Sequence, residues 1–226
     1  MRSAIYYLCR NPGVYAKLLE EIDSFHQAGD LSEYITYAEA MRMPYTIGTI
    51  KEAMRVCPSA ALTYPRHVPK GGATISGHFF TEGVNSSSFL HGTETNIFQS
   101  RVGVNPYVLH FNTEIFGHDA EDFNPGRWLR PNAKMMDSYM FQFGKGSRKC
   151  IGQNIAIVEL YKFIPQFLRA FKVELVNPEK KVRRVRPLGK CPLFETFVSS
   201  VLNSITSSPQ TALITRFLLG KDTTES

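Results

Sequence analysis

The stretch Phe143-Gly144-Lys145-Gly146-Ser147-Arg148-Lys149-Cys150-Ile151-Gly152 decides how this 226-residue chain is read. The run that follows, IGQNIAIVELYKFIPQFLRAF, is apolar on most sides. The segment therefore reads as a loop feeding a long, deeply buried helix to about Phe171, with Pro165 kinking it or ending its regular part. A cysteine at that junction meets the unpaired N–H groups and the positive end of the helix, and both favour a thiolate. Lys145, Arg148 and Lys149 add positive potential. Gly144, Gly146 and Gly152 remove side-chain bulk and permit backbone angles that other residues avoid. A large, flat group can then approach the sulfur, with Phe143 packing beside it. Taken alone, the same letters also describe a structural cysteine buried behind a glycine turn.

Working outward, two shorter constellations precede the loop. Glu52-Ala53-Met54-Arg55 lies on a helix expected from Tyr45 to Cys57, with Ile47, Ile50 and Met54 on one face and Pro58 as its stop. Glu52 and Arg55 are spaced to pair on one face. Alone, such a pair is an ordinary surface ion pair of little worth. Phe123-Asn124-Pro125-Gly126-Arg127-Trp128 follows in a charged, turn-rich loop.

All three in this order resemble the cytochrome P-450 family, the haem-thiolate monooxygenases. Residues 143–152 match the family's haem-binding loop FxxGxRxCxG at every fixed position, residues 52–55 its ExxR motif, and residues 123–128 its PxRF/W loop. The phrases NPGVYAKLLEEID and VGVNPYVLHFNTEIFGHDAEDFNPGRWL are similar to fungal microsomal members, the pisatin-demethylase-like group. The resemblance implies haem b (iron protoporphyrin IX) as cofactor and Cys150 as axial iron ligand, with Phe143, Gly144, Gly146, Arg148 and Gly152 lining the site. Arg66 and Arg148 would meet the propionates. Glu52, Arg55 and Arg127 would be structural support, not acid–base catalysts. It further implies an electron donor of the NADPH-cytochrome reductase type, a small organic substrate that receives one oxygen atom from O2, and residence at the cytosolic face of the endoplasmic reticulum membrane. Lys145 and Lys149 would either belong to the reductase-docking face or be plain solvent-facing lysines.

The expected fold is mainly α with small β-sheets, the C-terminal part of the P-450 fold. Residues 1–178 form the haem-binding part and residues 179–226 an atypical basic, weakly patterned tail. The family's distal helix, with its AGxDT-like motif, is expected to lie upstream of Met1-Arg2-Ser3-Ala4, as is the usual membrane anchor. Residues 84–101, rich in Ser, Thr and Asn, read as an insertion between segments that the family joins almost directly. Phe111 stands where an arginine often follows the histidine, and Gly126 where Glu is common. The rival reading is a catalytically silent fragment that binds haem weakly or not at all.

Composition narrows the rest. With 43% hydrophobic and 12% aromatic residues, the chain is no disordered tail or disulfide-stapled miniature. No stretch reaches the roughly 18 uncharged apolar residues of a membrane span. The formal charge of +6 is a mild excess that leaves room for peripheral membrane contact and gives no reason to expect nucleic acid. Lys180-Lys181-Val182-Arg183-Arg184-Val185-Arg186 is either a basic docking module or a solvated tail. No cysteine pair has CxxC spacing, and His67, His78, His91, His110 and His118 lack ligand spacing, so they read as structural or exposed. Asn11-Pro12 reads as a helix start and Gly29 as its end, ATIS and HFF as small strands, and residues 171–176 as an alternating strand.

Overall fold

The computed structural model of the protein describes residues 1–82 and 101–175. Helix α1 (Arg2–Arg10) begins without a side-chain cap. Pro12 opens α2 (Pro12–Gln27). Asn11 does not cap it, however: its amide donates to the Tyr7 carbonyl at 2.7 Å and so serves the end of α1. The one-turn helix α3 (Tyr37–Ala40) is fixed by a reciprocal capping box between Thr36 and Glu39, a signal too short for apolar periodicity to reveal. Helix α4 (Pro44–Val56) starts on the Glu21 carboxylate, which accepts from the N–H groups of Tyr45 and Thr46 at 2.9 and 2.7 Å. Negative charge is favourable at that end of a helix.

The glycine-rich stretch after α4 forms β1 (Tyr64–His67), β2 (Ala73–Ile75) and β3 (His78–Phe80), and β4 (Arg101–Val104) follows. β1 pairs antiparallel with β4, Tyr64 opposite Val104, and β2 pairs antiparallel with β3. Ser76 and Gly77, both at positive φ, make the tight turn of the second pair. The expected insertion lies outside the described residues as far as residue 100, and Arg101 already begins β4. The basic run and the whole of residues 179–226 also lie outside them.

Short helices α5 (Pro106–His110), α6 (Thr113–Phe116) and α7 (Ala133–Ser138) follow. Asn105 and Asn112 cap the first two, each accepting from N–H groups of the first turn. A 3-10 turn spans Pro125–Leu129 and another Gly146–Arg148. Helix α8 (Gln153–Ala170) closes the described chain and continues past Pro165.

The main core is built by Ile5 and Leu8 of α1, Leu18 and Ile22 of α2, Ile50 and Ala53 of α4, and Tyr161, Ile164 and Leu168 of α8. A second cluster gathers Phe116, Ala120, Trp128 and Met136, and Met54 of α4 packs against both. Helix α4 is thus the wall between two apolar bodies. Deep burial of α8, expected along its whole length, holds only for its C-terminal half: Ile155 is 67% exposed. The alternating strand is not formed over its described part either, since residues 171–175 are irregular. The backbone of Val173 is satisfied instead by side chains, donating to the Tyr15 hydroxyl and accepting from the Cys9 thiol.

Candidate functional site

Glu52 and Arg55 are not a surface pair: both are wholly buried, as is Arg127. Arg55 grips the carboxylate with two bonds, Nε to Oε2 at 3.0 Å and Nη2 to Oε1 at 2.8 Å. Arg127 Nε donates to Oε1 at 3.0 Å, Trp128 Nε1 to Oε2 at 2.9 Å, and the Asn124 backbone N–H to Oε1 at 2.9 Å. The remaining guanidinium donors find backbone oxygens and the Asp119 carboxylate. Arg55 reaches the carbonyls of His110, Ala120 and Asp122 at 2.7, 2.8 and 3.0 Å. Arg127 reaches the Phe116 carbonyl, the Asp119 carbonyl at 2.7 Å and the Asp119 carboxylate at 3.1 Å. Desolvating ions costs several kcal/mol each unless every polar atom is answered, and here the Glu52 and Asp119 carboxylates balance the two cations. Burial alone would push the Asp119 carboxyl up, but the Asn124 amide and the charges of Arg127 and Arg130 hold it below its ordinary value.

The cysteine loop is folded back on itself. Phe141 and Phe143 carbonyls accept from the N–H groups of Gly144 at 2.9 Å and Cys150 at 2.8 Å. Gly144 and Gly146 stand at φ +67° and +69°, angles that L side chains rarely adopt. Cys150 is exposed and lies just ahead of α8, whose N-cap, Gly152, offers no side chain to the free N–H groups. A Cβ at position 152 would stand 3.9 Å from Cys150 Sγ, filling space beside the sulfur. Lys145, Arg148 and Lys149 are exposed around it. Arg66, on β1, reaches the loop by donating to the Lys145 carbonyl at 3.4 Å. Phe143 is half-buried. By contrast, burial pushes the Cys9 thiol up to about 11, assisted by the Glu174 charge, so that sulfur is inert packing.

A cleft of about 420 Å³ opens beside the loop between Tyr64, Arg66, Phe80, Val102, Phe141 and Lys145. Tyr64 borders it from the start of β1. Its hydroxyl donates to the Gln142 carbonyl at 3.2 Å, and burial, with the nearby Cys150 sulfur, raises its ionisation above the ordinary phenol value. Trp128, Asp119 and Asn124 were missed as network partners. The Asn124-Pro125 pair was the available signal, since Asn124 Oδ1 caps the 3-10 turn at Gly126 N–H while its amide donates to Asp119. Of the two readings of His110, structural or exposed, the structural one holds: it is fully buried between α4 and the root of the loop. His67 is exposed on β1.

The sequence model of cytochrome P450 matches residues 1–190. The chain belongs to the cytochrome P450 family. It is 35% identical over 181 residues to the cytochrome P450 monooxygenase ACRTS1 of Alternaria alternata, covering 79% of this chain and 44% of that protein. It is 39% identical over 175 residues to a pisatin demethylase of Fusarium vanettenii, covering 77% of this chain and 30% of that protein. The cytochrome P450 monooxygenase cicH of Emericella nidulans is 33% identical over 183 residues, with 80% and 34% covered. The chain thus spans less than half the length of the curated relatives it matches. The mainly helical fold with small two-stranded sheets is consistent with part of a P450 fold, and among the described residues no helix is long and apolar enough to cross a membrane.

P450 membership implies a haem, and the residues present fit one. The loop offers an exposed soft sulfur beside space that a side chain at position 152 would fill. Arg66 touches the loop at Lys145 and Arg148 is exposed two residues ahead of Cys150, and among the described residues neither is spent in an ion pair. Two such cations suit the two carboxylates of a porphyrin.

Proposed function

We propose that this chain is the haem-thiolate part of a P450 monooxygenase, with haem b held by Cys150. The observation that carries the reading is an exposed thiol on a glycine loop whose root is tied to a buried, fully answered ionic network. A haem bound there supplies one-electron redox chemistry and the activation of O2. Cys150 contributes the sulfur ligand, exposed just ahead of α8. Gly152 keeps the approach to sulfur clear, Gly144 and Gly146 take the positive φ the loop requires, and Phe143 packs beside the group. Arg66 and Arg148 would hold the propionates. Glu52, Arg55 and Arg127 hold the scaffold under the loop and move no proton. The electron donor is of the NADPH-cytochrome reductase type, docking on the face that carries Lys145 and Lys149. The substrate is a small organic molecule, and the parent family works at the cytosolic face of the endoplasmic reticulum membrane.

The rival reading, a catalytically silent chain, draws on the open setting of the sulfur: Ile151, next to Cys150, is 101% exposed. Oxygen activation needs a water-excluding pocket. Haem titration of the full chain, followed by the reduced carbon-monoxide difference spectrum, separates the two. The proposed function requires saturable binding with the red-shifted band of thiolate-ligated iron, lost in Cys150→Ser while stability stays within about 0.5 kcal/mol, as for an exposed side chain. Absence of saturable binding, or a spectrum of imidazole-ligated or free haem, establishes the silent reading.

A further inference from the structure

His110 sits where the ionic network meets the cysteine loop. Its Nδ1 lies 3.0 Å from the Arg55 carbonyl, and its Nε2 lies 2.8 Å from the Phe141 backbone nitrogen. A backbone N–H can only donate, so Nε2 is the bare nitrogen. The proton therefore sits on Nδ1, which donates to the Arg55 carbonyl. The His110 carbonyl accepts in turn from Arg55 Nη1 at 2.7 Å. Phe141 is the root of the loop: its carbonyl takes the Gly144 N–H, and two residues on the Phe143 carbonyl takes the Cys150 N–H. One continuous path of hydrogen bonds and backbone thus leads from the Glu52 carboxylate through Arg55 and His110 to the sulfur-bearing residue.

We propose that His110 is the positioning residue that seats the cysteine loop on the Glu52–Arg55–Arg127 network. Its consequence for iron ligation rests on the haem-thiolate reading, whereas its effect on the loop does not. Only one protonation state does this work. In the imidazolium both nitrogens donate, so Nε2–H would face the Phe141 N–H and the tie would break. The groups around the ring oppose that charge. From α4 the buried Arg55 guanidinium faces it, with Glu52 already committed to the two arginines, and from α6 Phe116 meets it edge-on at 6.2 Å without charge. Burial pushes the imidazole down to about 4, the Arg55 charge adding to the shift and the bond to the Arg55 carbonyl opposing it. A glutamine can make the same two bonds without titrating, its NH2 donating to Arg55 and its carbonyl accepting from Phe141.

Amide hydrogen exchange on the full chain, read by peptide, tests this with His110→Phe and His110→Gln. In His110→Phe, peptides covering residues 141–150 should exchange about tenfold faster than in the unmodified protein, while α1 and α2 peptides keep their protection. His110→Gln should restore the loop. After haem loading, the thiolate-type fraction of the carbon-monoxide spectrum should fall in His110→Phe and recover in His110→Gln. A folded His110→Phe protein with unchanged loop exchange overturns the proposal. If His110→Phe loses protection everywhere, the acid response decides. The unmodified loop should loosen between pH 6.5 and 4 and the His110→Gln loop should not; equal loosening in both overturns it. Loop contrasts that persist in protein unable to bind haem would overturn the proposed function and leave the role of His110 standing.

Discussion

Glu52 is the residue on which the site depends. One carboxylate answers two guanidinium groups, an indole and a backbone N–H. Replacing it with alanine leaves Arg55 and Arg127 buried without their shared counter-ion, and that is the costly way to break a buried pair. Glu52→Ala should lower unfolding stability by about 3–5 kcal/mol in urea melts. Asp119→Ala should cost less, because its carboxylate is 30% exposed and water can take over part of its role. If Glu52→Ala were no worse than Asp119→Ala, the central place given to Glu52 would be wrong. The ExxR spacing was enough to pair Glu52 with Arg55, but not to show them buried. Burial depends on Trp128, Phe116 and the carbonyls of His110, Ala120 and Asp122, which come from more than fifty residues downstream.

Among the elements, α4 and the Pro125–Leu129 turn form the tightest seam. Gly48 faces this turn, and a Cβ there would sit 3.0 Å from the Pro125 carbonyl oxygen and 3.3 Å from Trp128 Cβ. The carbonyl is backbone, and Trp128 is pinned through its indole to Glu52, so neither yields easily. Helix propensity alone favours alanine over glycine by about 1 kcal/mol. Overpacking costs about 1–3 kcal/mol and should win. Gly48→Ala is therefore expected to lower the midpoint of urea unfolding, and a rise would mean the seam is looser than its geometry. Helix α4 was legible from Ile47, Ile50 and Met54, and α8 from its apolar run. Helices α3, α5 and α6 were not, because side-chain caps at Thr36, Asn105 and Asn112 hold them and no repeating apolar face does.

For the molecule as a whole, acid should act early. His110 is held near 4 in the fold against an ordinary value of 6.5, so the unfolded chain binds the extra proton between those limits. Stability from this group is complete above pH 6.5 and is lost as pH falls towards 4, by roughly 3 kcal/mol in all. Carboxylates whose folded values are depressed, such as Asp119 and the capping Glu39, take over at lower pH. Urea midpoints measured from pH 7 to 4 should therefore fall already between 6.5 and 5, and His110→Gln should flatten that part of the curve. A flat profile in the unmodified protein would show that the histidine is less enclosed than its surroundings indicate.

The sequence by itself determined the family, the cysteine and its glycine loop, because a ten-residue pattern specifies local chemistry through neighbours only. It also supplied the members of the ionic network, Glu52, Arg55 and Arg127, as separate pieces. The tertiary structure alone decided that these pieces share one buried carboxylate, that Trp128 and Asp119 complete the set, and that His110 links it to the loop. Hydrogen bonds between residues from eight to nearly eighty apart leave no periodic trace in a sequence, since each partner needs only one suitable atom at one place. The same holds for residues 171–175, whose alternation promised a strand. Without a neighbouring strand among the described residues, the Val173 backbone turned to the side chains of Tyr15 and Cys9.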